Sequence, residues 1–139
     1  MASVFEKLNL KQQGEILVLN APATFGAELR KLAGVAVHTQ IQAGKPVAFA
    51  LVFATRKAEV DSLAGPIAKA APGDAIVWFA YPKGTSKRYA CDFNRDAGWD
   101  ELRRHGFETV RQVAIDEDWS ALRFRRAEFV RSSSRAPQR

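Results

Sequence analysis

The stretch from residue 47 to residue 81 limits the possible folds more than any other part of the chain. Residues 47–53, Val-Ala-Phe-Ala-Leu-Val-Phe, are apolar without alternation, as expected of a strand covered on both faces. Ala58, Val60, Leu63, Ile67 and Ala71 then recur at helical spacing, and Pro72-Gly73 stops that helix. Residues 75–81, Ala-Ile-Val-Trp-Phe-Ala-Tyr, return to β-prone apolar sequence. Strand, helix and strand with short loops make a βαβ crossover, which requires a parallel sheet. Gly65-Pro66 lies inside the helical pattern and is expected to kink or split it.

The flanking segments extend this unit. Ser3 and Glu6 have capping-box spacing ahead of Val4, Phe5 and Leu8, so a short N-terminal helix is expected. Residues 15–20 read as a buried strand, 24–32 as a helix stopped by Gly34, and 35–41 as a β-branched strand. After a polar loop over 82–93, Asn94 is placed to cap a helix carrying Trp99 and Leu102, with Gly106 just past its end. Residues 109–115 and 120–126 are two strands joined by Asp116-Glu-Asp-Trp119, a connection so short that they must form an antiparallel hairpin. The expected architecture is α/β: a single, mostly parallel sheet with flanking helices and a C-terminal antiparallel hairpin. One domain covers residues 1–130, followed by a disordered basic tail over 131–139, where Ser, Arg, Pro and Gln replace core-forming residues.

Charge and apolar content narrow the function classes. The net charge is +6, yet residues 1–119 hold 15 Lys and Arg against 14 Asp and Glu, while residues 120–139 hold six Arg against Glu128 alone. Basicity therefore belongs to the C-terminal end, which supplies non-specific phosphate attraction and does not favour a nucleic-acid reading of the body. The longest apolar run, residues 47–54, is far short of the roughly 20 residues needed to span a bilayer, so no membrane association and a cytoplasmic location are expected. Cys91 is the single cysteine, which excludes an internal disulfide.

Chemistry-bearing residues gather at strand ends, where open α/β sheets place their crevices. The loop after the strand at 75–81 runs Lys83-Gly-Thr-Ser-Lys-Arg88, in which Lys83, Thr85, Ser86 and Lys87 could hold a phosphate or carboxylate, although the spacing matches no phosphate-loop motif. Asn20 and Thr55 end two other strands, and Asp116 with Trp119 sits in the hairpin turn; these eight residues form the candidate ligand site. Against that stands the plainer reading of a solvated loop and an ordinary Asp-rich turn, with Trp119 folded over the sheet as an apolar lid. The arginines of Leu122-Arg-Phe-Arg-Arg126 fit a protected edge strand as well as a nucleic-acid contact. Cys91, His38 and His105 lie on three separate segments, so the sequence supplies no nucleophile–base pair, no catalytic residue and no metal set.

Three motifs, Val18-Leu-Asn-Ala-Pro22, Trp78-Phe-Ala-Tyr-Pro-Lys83 and Ile115-Asp-Glu-Asp-Trp-Ser-Ala-Leu-Arg-Phe124, together resemble a family of small bacterial domains of unknown function. From residue 47 onward the pattern also looks like the C-terminal half of a class I S-adenosylmethionine-dependent methyltransferase. The resemblance implies a truncated, Rossmann-like methyltransferase fold and no particular activity. In true methyltransferases the first strand leads into a glycine-rich loop and the second ends on an acidic residue that holds a ribose. Here Asn20-Ala-Pro-Ala-Thr-Phe-Gly26 and His38-Thr-Gln40 occupy those places, so no cofactor is expected. The sequence reading is a non-catalytic α/β domain acting through a protein partner or a ligand. Its alternatives are an anion-binding enzyme or sensor using the strand-end crevice, and a nucleic-acid accessory protein using the Arg-rich end.

Overall fold

The computed structural model describes residues 4–8, 10, 14–32, 34–42, 44–87, 89–93 and 98–134, with side chains to residue 130. Its frame is a six-stranded sheet built from β1 (Glu15–Leu19), β2 (Ala36–His38), β3 (Phe49–Phe53), β4 (Ile76–Pro82), β5 (Phe107–Ala114) and β6 (Trp119–Arg126), in the order β2-β1-β3-β4-β6-β5. The first four strands are mutually parallel, β6 runs antiparallel to β4, and β5 runs antiparallel to β6. The mixed sheet with its closing hairpin is the architecture expected from the sequence.

Alternation along the strands divides the core into two layers. Trp78 and Phe79, adjacent on β4, are both fully buried, one in each layer. On the first face α3 (Lys57–Ala70) packs Val60, Ala64 and Ile67 against Val52, Val77 and Phe79, joined by Trp99 and Leu102 at α4 (Asp100–Arg104). On the second face α1 (Val4–Lys7), the 3-10 turn Ala23–Phe25 and α2 (Gly26–Arg30) bring Phe5, Leu8 and Phe25 onto Phe49, Phe53 and Trp78. The Trp78 indole Nε1 donates to the Leu8 carbonyl at 2.8 Å, which satisfies the one polar atom this buried ring carries.

Several sequence expectations need correction. Gly65-Pro66 does not divide α3, which is one continuous 14-residue helix with Pro66 inside it. The apolar side of the helix is anchored on both flanks of the proline, by Val60 and Ala64 before it and Ile67 and Ala70 after it, and that burial outweighs the lost N–H. The segment expected as a helix over 24–32 divides into the 3-10 turn and the short α2. The strand expected over 35–41 shortens to three residues, and β6 is not an edge strand: it lies between β4 and β5. Beyond β6 the chain continues as α5 (Ala127–Ser134), so helix runs four residues past the expected start of the disordered tail. The expected caps Ser3 and Asn94, the loop residue Arg88 and residues 135–139 lie outside the described residues.

Two arginines of β6 hold the sheet to its surroundings. Arg126 lies 4.7 Å over the Phe107 ring and donates to the carbonyls of Ala68, Ala71 and Gly73 at 2.7–2.9 Å, satisfying acceptors that the C-terminus of α3 leaves exposed. Arg125 grips both carboxylate oxygens of Asp74 at 2.7 Å in a fork. The Arg125 hydrogen bond holds the Asp74 carboxyl below its usual range.

Candidate functional site

After β1 the chain crosses to β2 on one side, then returns to place β3 on the other. The carboxyl ends of β1 and β3 therefore form the switch point at which sheets of this kind bind ligands. In this molecule the chain fills that place itself. Asn20 adopts φ 60°, a left-handed conformation that asparagine tolerates, and its Nδ2 donates to the Phe53 carbonyl at 3.4 Å across the gap between the strands. Phe25 is buried behind it, its ring 4.9 Å from that of Phe53 and 5.7 Å from that of Phe5. The N-terminus of α3 is equally occupied. Glu59 Oε1 accepts from the amides of Thr55 (2.8 Å) and Arg56 (3.2 Å), and Asp92 Oδ1 accepts from that of Lys57 (2.7 Å). Two carboxylates hold the positions an anionic ligand would take.

One strand over, the carboxyl end of β4 is open. A cavity of about 670 Å³, of ordinary size for a small-molecule site, is lined by Tyr81, Pro82, Lys83, Gly84, Thr85, Ser86, Tyr89, Ala90, Cys91, Phe93, Gln112 and Ser120. Its floor is fixed by strand register. Tyr81 and Gln112 extend from β4 and β5 on the same face and meet across β6, the Gln112 amide donating to the Tyr81 hydroxyl at 3.1 Å. Phe93 closes one wall by packing on Tyr81 and Trp99 with ring centroids 6.0 and 5.0 Å away. That wall needs a glycine: Gly98 sits at φ 105°, and a Cβ there would meet the Phe93 Cβ at 2.6 Å.

The loop over 83–86 is tied to the hairpin turn. Lys83 N–H donates to the Asp118 carbonyl at 2.8 Å, and the Ser86 hydroxyl donates to the Asp118 carboxylate at 2.9 Å while accepting from the Tyr89 amide. These bonds fix the backbone on either side of the Lys83 ammonium and leave the ammonium itself unpaired among the described residues. Burial is the main cause that raises the Cys91 thiol above its ordinary pKa, so this wall presents a neutral thiol.

Of the eight residues proposed from the sequence, the structure brings Lys83, Thr85 and Ser86 together on the cavity. Lys87 is exposed and outside its lining, while Asn20 and Thr55 belong to the filled switch point. Asp116 builds the turn, its Oδ1 accepting from the amides of Asp118 and Trp119. Trp119 is 3% exposed and packs on Phe53 and Tyr89 at 5.1 and 4.9 Å, the lid reading rather than the ligand reading. Cys91 lines this cavity, His38 pairs with Glu15 at 3.0 Å on the β2 side, and His105 lies against Gly65 of α3. Among the described residues no group of three or more His, Cys, Asp or Glu is placed to hold a metal, and no helix is long and apolar enough to cross a membrane. Tyr81, Tyr89, Phe93, Gln112 and Ser120 were invisible as site residues in the sequence. The β4–β6–β5 register brings together Tyr81, Ser120 and Gln112, the last 31 positions from Tyr81 in sequence, and the path of the loop after β4 adds Tyr89 and Phe93.

No family model matches the sequence, and no curated protein does. Solved structures match over most of the chain. An SAM-dependent methyltransferase from Aquifex aeolicus superposes with TM-score 0.61 at 13% identity, over 87% of this chain and 86% of that one. The N-methyltransferase NodS from Bradyrhizobium japonicum gives 0.56 at 12% identity, over 87% and 91%. The glycopeptide N-methyltransferase MtfA gives 0.56 at 10% identity, over 86% and 91%. The fold is that of the class I methyltransferases. The residues present do not fit S-adenosylmethionine at the switch point: Phe25 and Asn20 take up the space after β1, and Pro22 removes an amide there. His38, Thr39 and Gln40 offer no carboxylate after β2.

Proposed function

We propose that this chain binds a small molecule with a planar or apolar body and one anionic group, in the cavity at the carboxyl end of β4. The observation that carries the reading is Lys83, which among the described residues is the one charged side chain lining the cavity and has no ion-pair partner there. Thr85 and Ser86 add hydroxyls beside it, and the partly exposed Tyr89 ring, with the buried Tyr81 and Phe93 as an apolar wall, suits a flat ligand body.

Amide NMR titration with phosphate, nucleotides and small aromatic acids tests the proposal. One of these should shift residues 81–86 and 89–93 together, and Lys83→Ala should weaken its binding about tenfold by removing a charge-assisted contact. Absence of localised shifts in that region with all of them would refute the reading. S-adenosylmethionine belongs in the same series. Binding tighter than about 100 μM, roughly −5.5 kcal/mol, would instead show that the switch point opens to accept it.

A further inference from the structure

The face of the hairpin opposite the Tyr81–Gln112 pair carries an arrangement that the ligand cavity does not use. Arg123 on β6 and Arg111 on β5 are register partners, two cations directly across a strand pair, an arrangement that opposes sheet formation unless something lies between them. Arg125 follows on the same face of β6, and Glu108 stands opposite it. The nearby carboxylate of Asp74 has both oxygens engaged by Arg125. Among the described residues, neither Arg111 nor Arg123 makes a side-chain hydrogen bond or ion pair.

Arg123 is the more unusual of the two. Its register neighbour on β4 is the fully buried Trp78, and its Nε is buried with no hydrogen-bond partner. A buried guanidinium N–H normally finds an acceptor, because leaving it unpaired forfeits the hydration it had in water. Burial chiefly, with the charges of Arg125 and Arg111, lowers the Arg123 pKa, and the Asp74 carboxylate held by Arg125 only partly offsets this.

We propose that Arg111 and Arg123 form a binding site for a phosphate monoester group seated between their guanidinium forks. The charge count favours phosphate over carboxylate. Two unpaired cations call for nearly two negative charges, which a monoester carries near neutral pH on three acceptor oxygens, whereas a carboxylate brings one charge on two. Guanidinium is also suited to this geometry, since its planar fork pairs with two oxygens at once. A single phosphate fits better than a polyanion track. Arg125 and Arg126, the remaining arginines of this strand, are already held by Asp74 and by the α3 carbonyls.

Arginine-side-chain NMR on the full chain, following the Nε–H signals, tests this with inorganic phosphate and glycerol phosphate as probes and a single-stranded oligonucleotide as the competing arm. The Arg123 Nε–H signal should shift with a dissociation constant of about 1 mM for the monoester. R111Q, at an exposed strand position, should weaken that about tenfold and Lys83→Ala should leave it unchanged, while R123K, followed at the Arg111 Nε–H, should weaken monoester binding through loss of the fork. The Lys83→Ala arm separates this site from the β4 cavity. No shift of Arg123 at about 20 mM of either monoester would overturn the proposal. So would a shift unaffected by R111Q, or oligonucleotide binding in the absence of any monoester effect.

Discussion

Two neighbouring places on the same edge of the sheet have opposite fates. At the ends of β1 and β3, Asn20 bridges the strands, Phe25 fills the volume and Glu59 with Asp92 caps α3. At the end of β4, a few ångströms of backbone further along the sheet, the loop bonds to the Asp118 turn through its amide and Ser86, and Lys83 faces an open cavity. The contrast separates fold from function. Topology marks the switch point as the place to bind, yet side chains decide whether it is open, and here they move the available site one strand across.

The largest effect that can break this comparison is at Phe25. Phe25→Ala removes a ring packed between Phe5 and Phe53 and should cost about 3 kcal/mol in urea unfolding. A loss under about 1 kcal/mol would mean that the switch point is loosely filled and could admit a ligand. Next in size, Glu59→Ala leaves the Thr55 and Arg56 amides without their acceptor and should cost about 1 kcal/mol by the same measurement. Because that change acts at the closed crevice, ligand shifts at residues 81–86 should survive it. The smallest effect sharpens the open side. Cys91 should react with iodoacetamide more slowly at pH 8 than an ordinary cysteine, its rate still rising where a thiol near pKa 8.5 has levelled off. A bound ligand should slow the reaction further, and a rate that levels off at ordinary pH would show the thiol fully solvated.

What the sequence revealed and what it concealed have a common physical origin. The apolar run in β3, the helical spacing of Val60 and Ile67, and the short Asp116–Trp119 connection are local patterns, and they specify strands, crossover and hairpin without knowledge of partners. Lys83 was legible because a position just after a central parallel strand is determined by strand assignment alone. Phe25 as a plug was half legible, as bulk where glycine would be needed. Gln112, Phe93 and Ser120 were not legible, since their place on the cavity depends on strand register and on a loop's path. Arg126 shows the same limit. Its sequence setting suggested an edge strand, whereas it acts through contacts with carbonyls 53 to 58 residues away.

The bond from the Lys57 amide to Asp92 ties the segment that walls the β4 cavity to the first turn of α3. Asp92 adjoins Cys91 and Phe93, so swinging that segment outward must release Lys57 N–H to water. Its hydrogen–deuterium exchange would then clock each opening of the cavity wall, while amides in the middle of α3 exchange only through larger unfolding. A backbone amide outside the cavity would thus serve as a native gauge of access to it, readable without label or ligand.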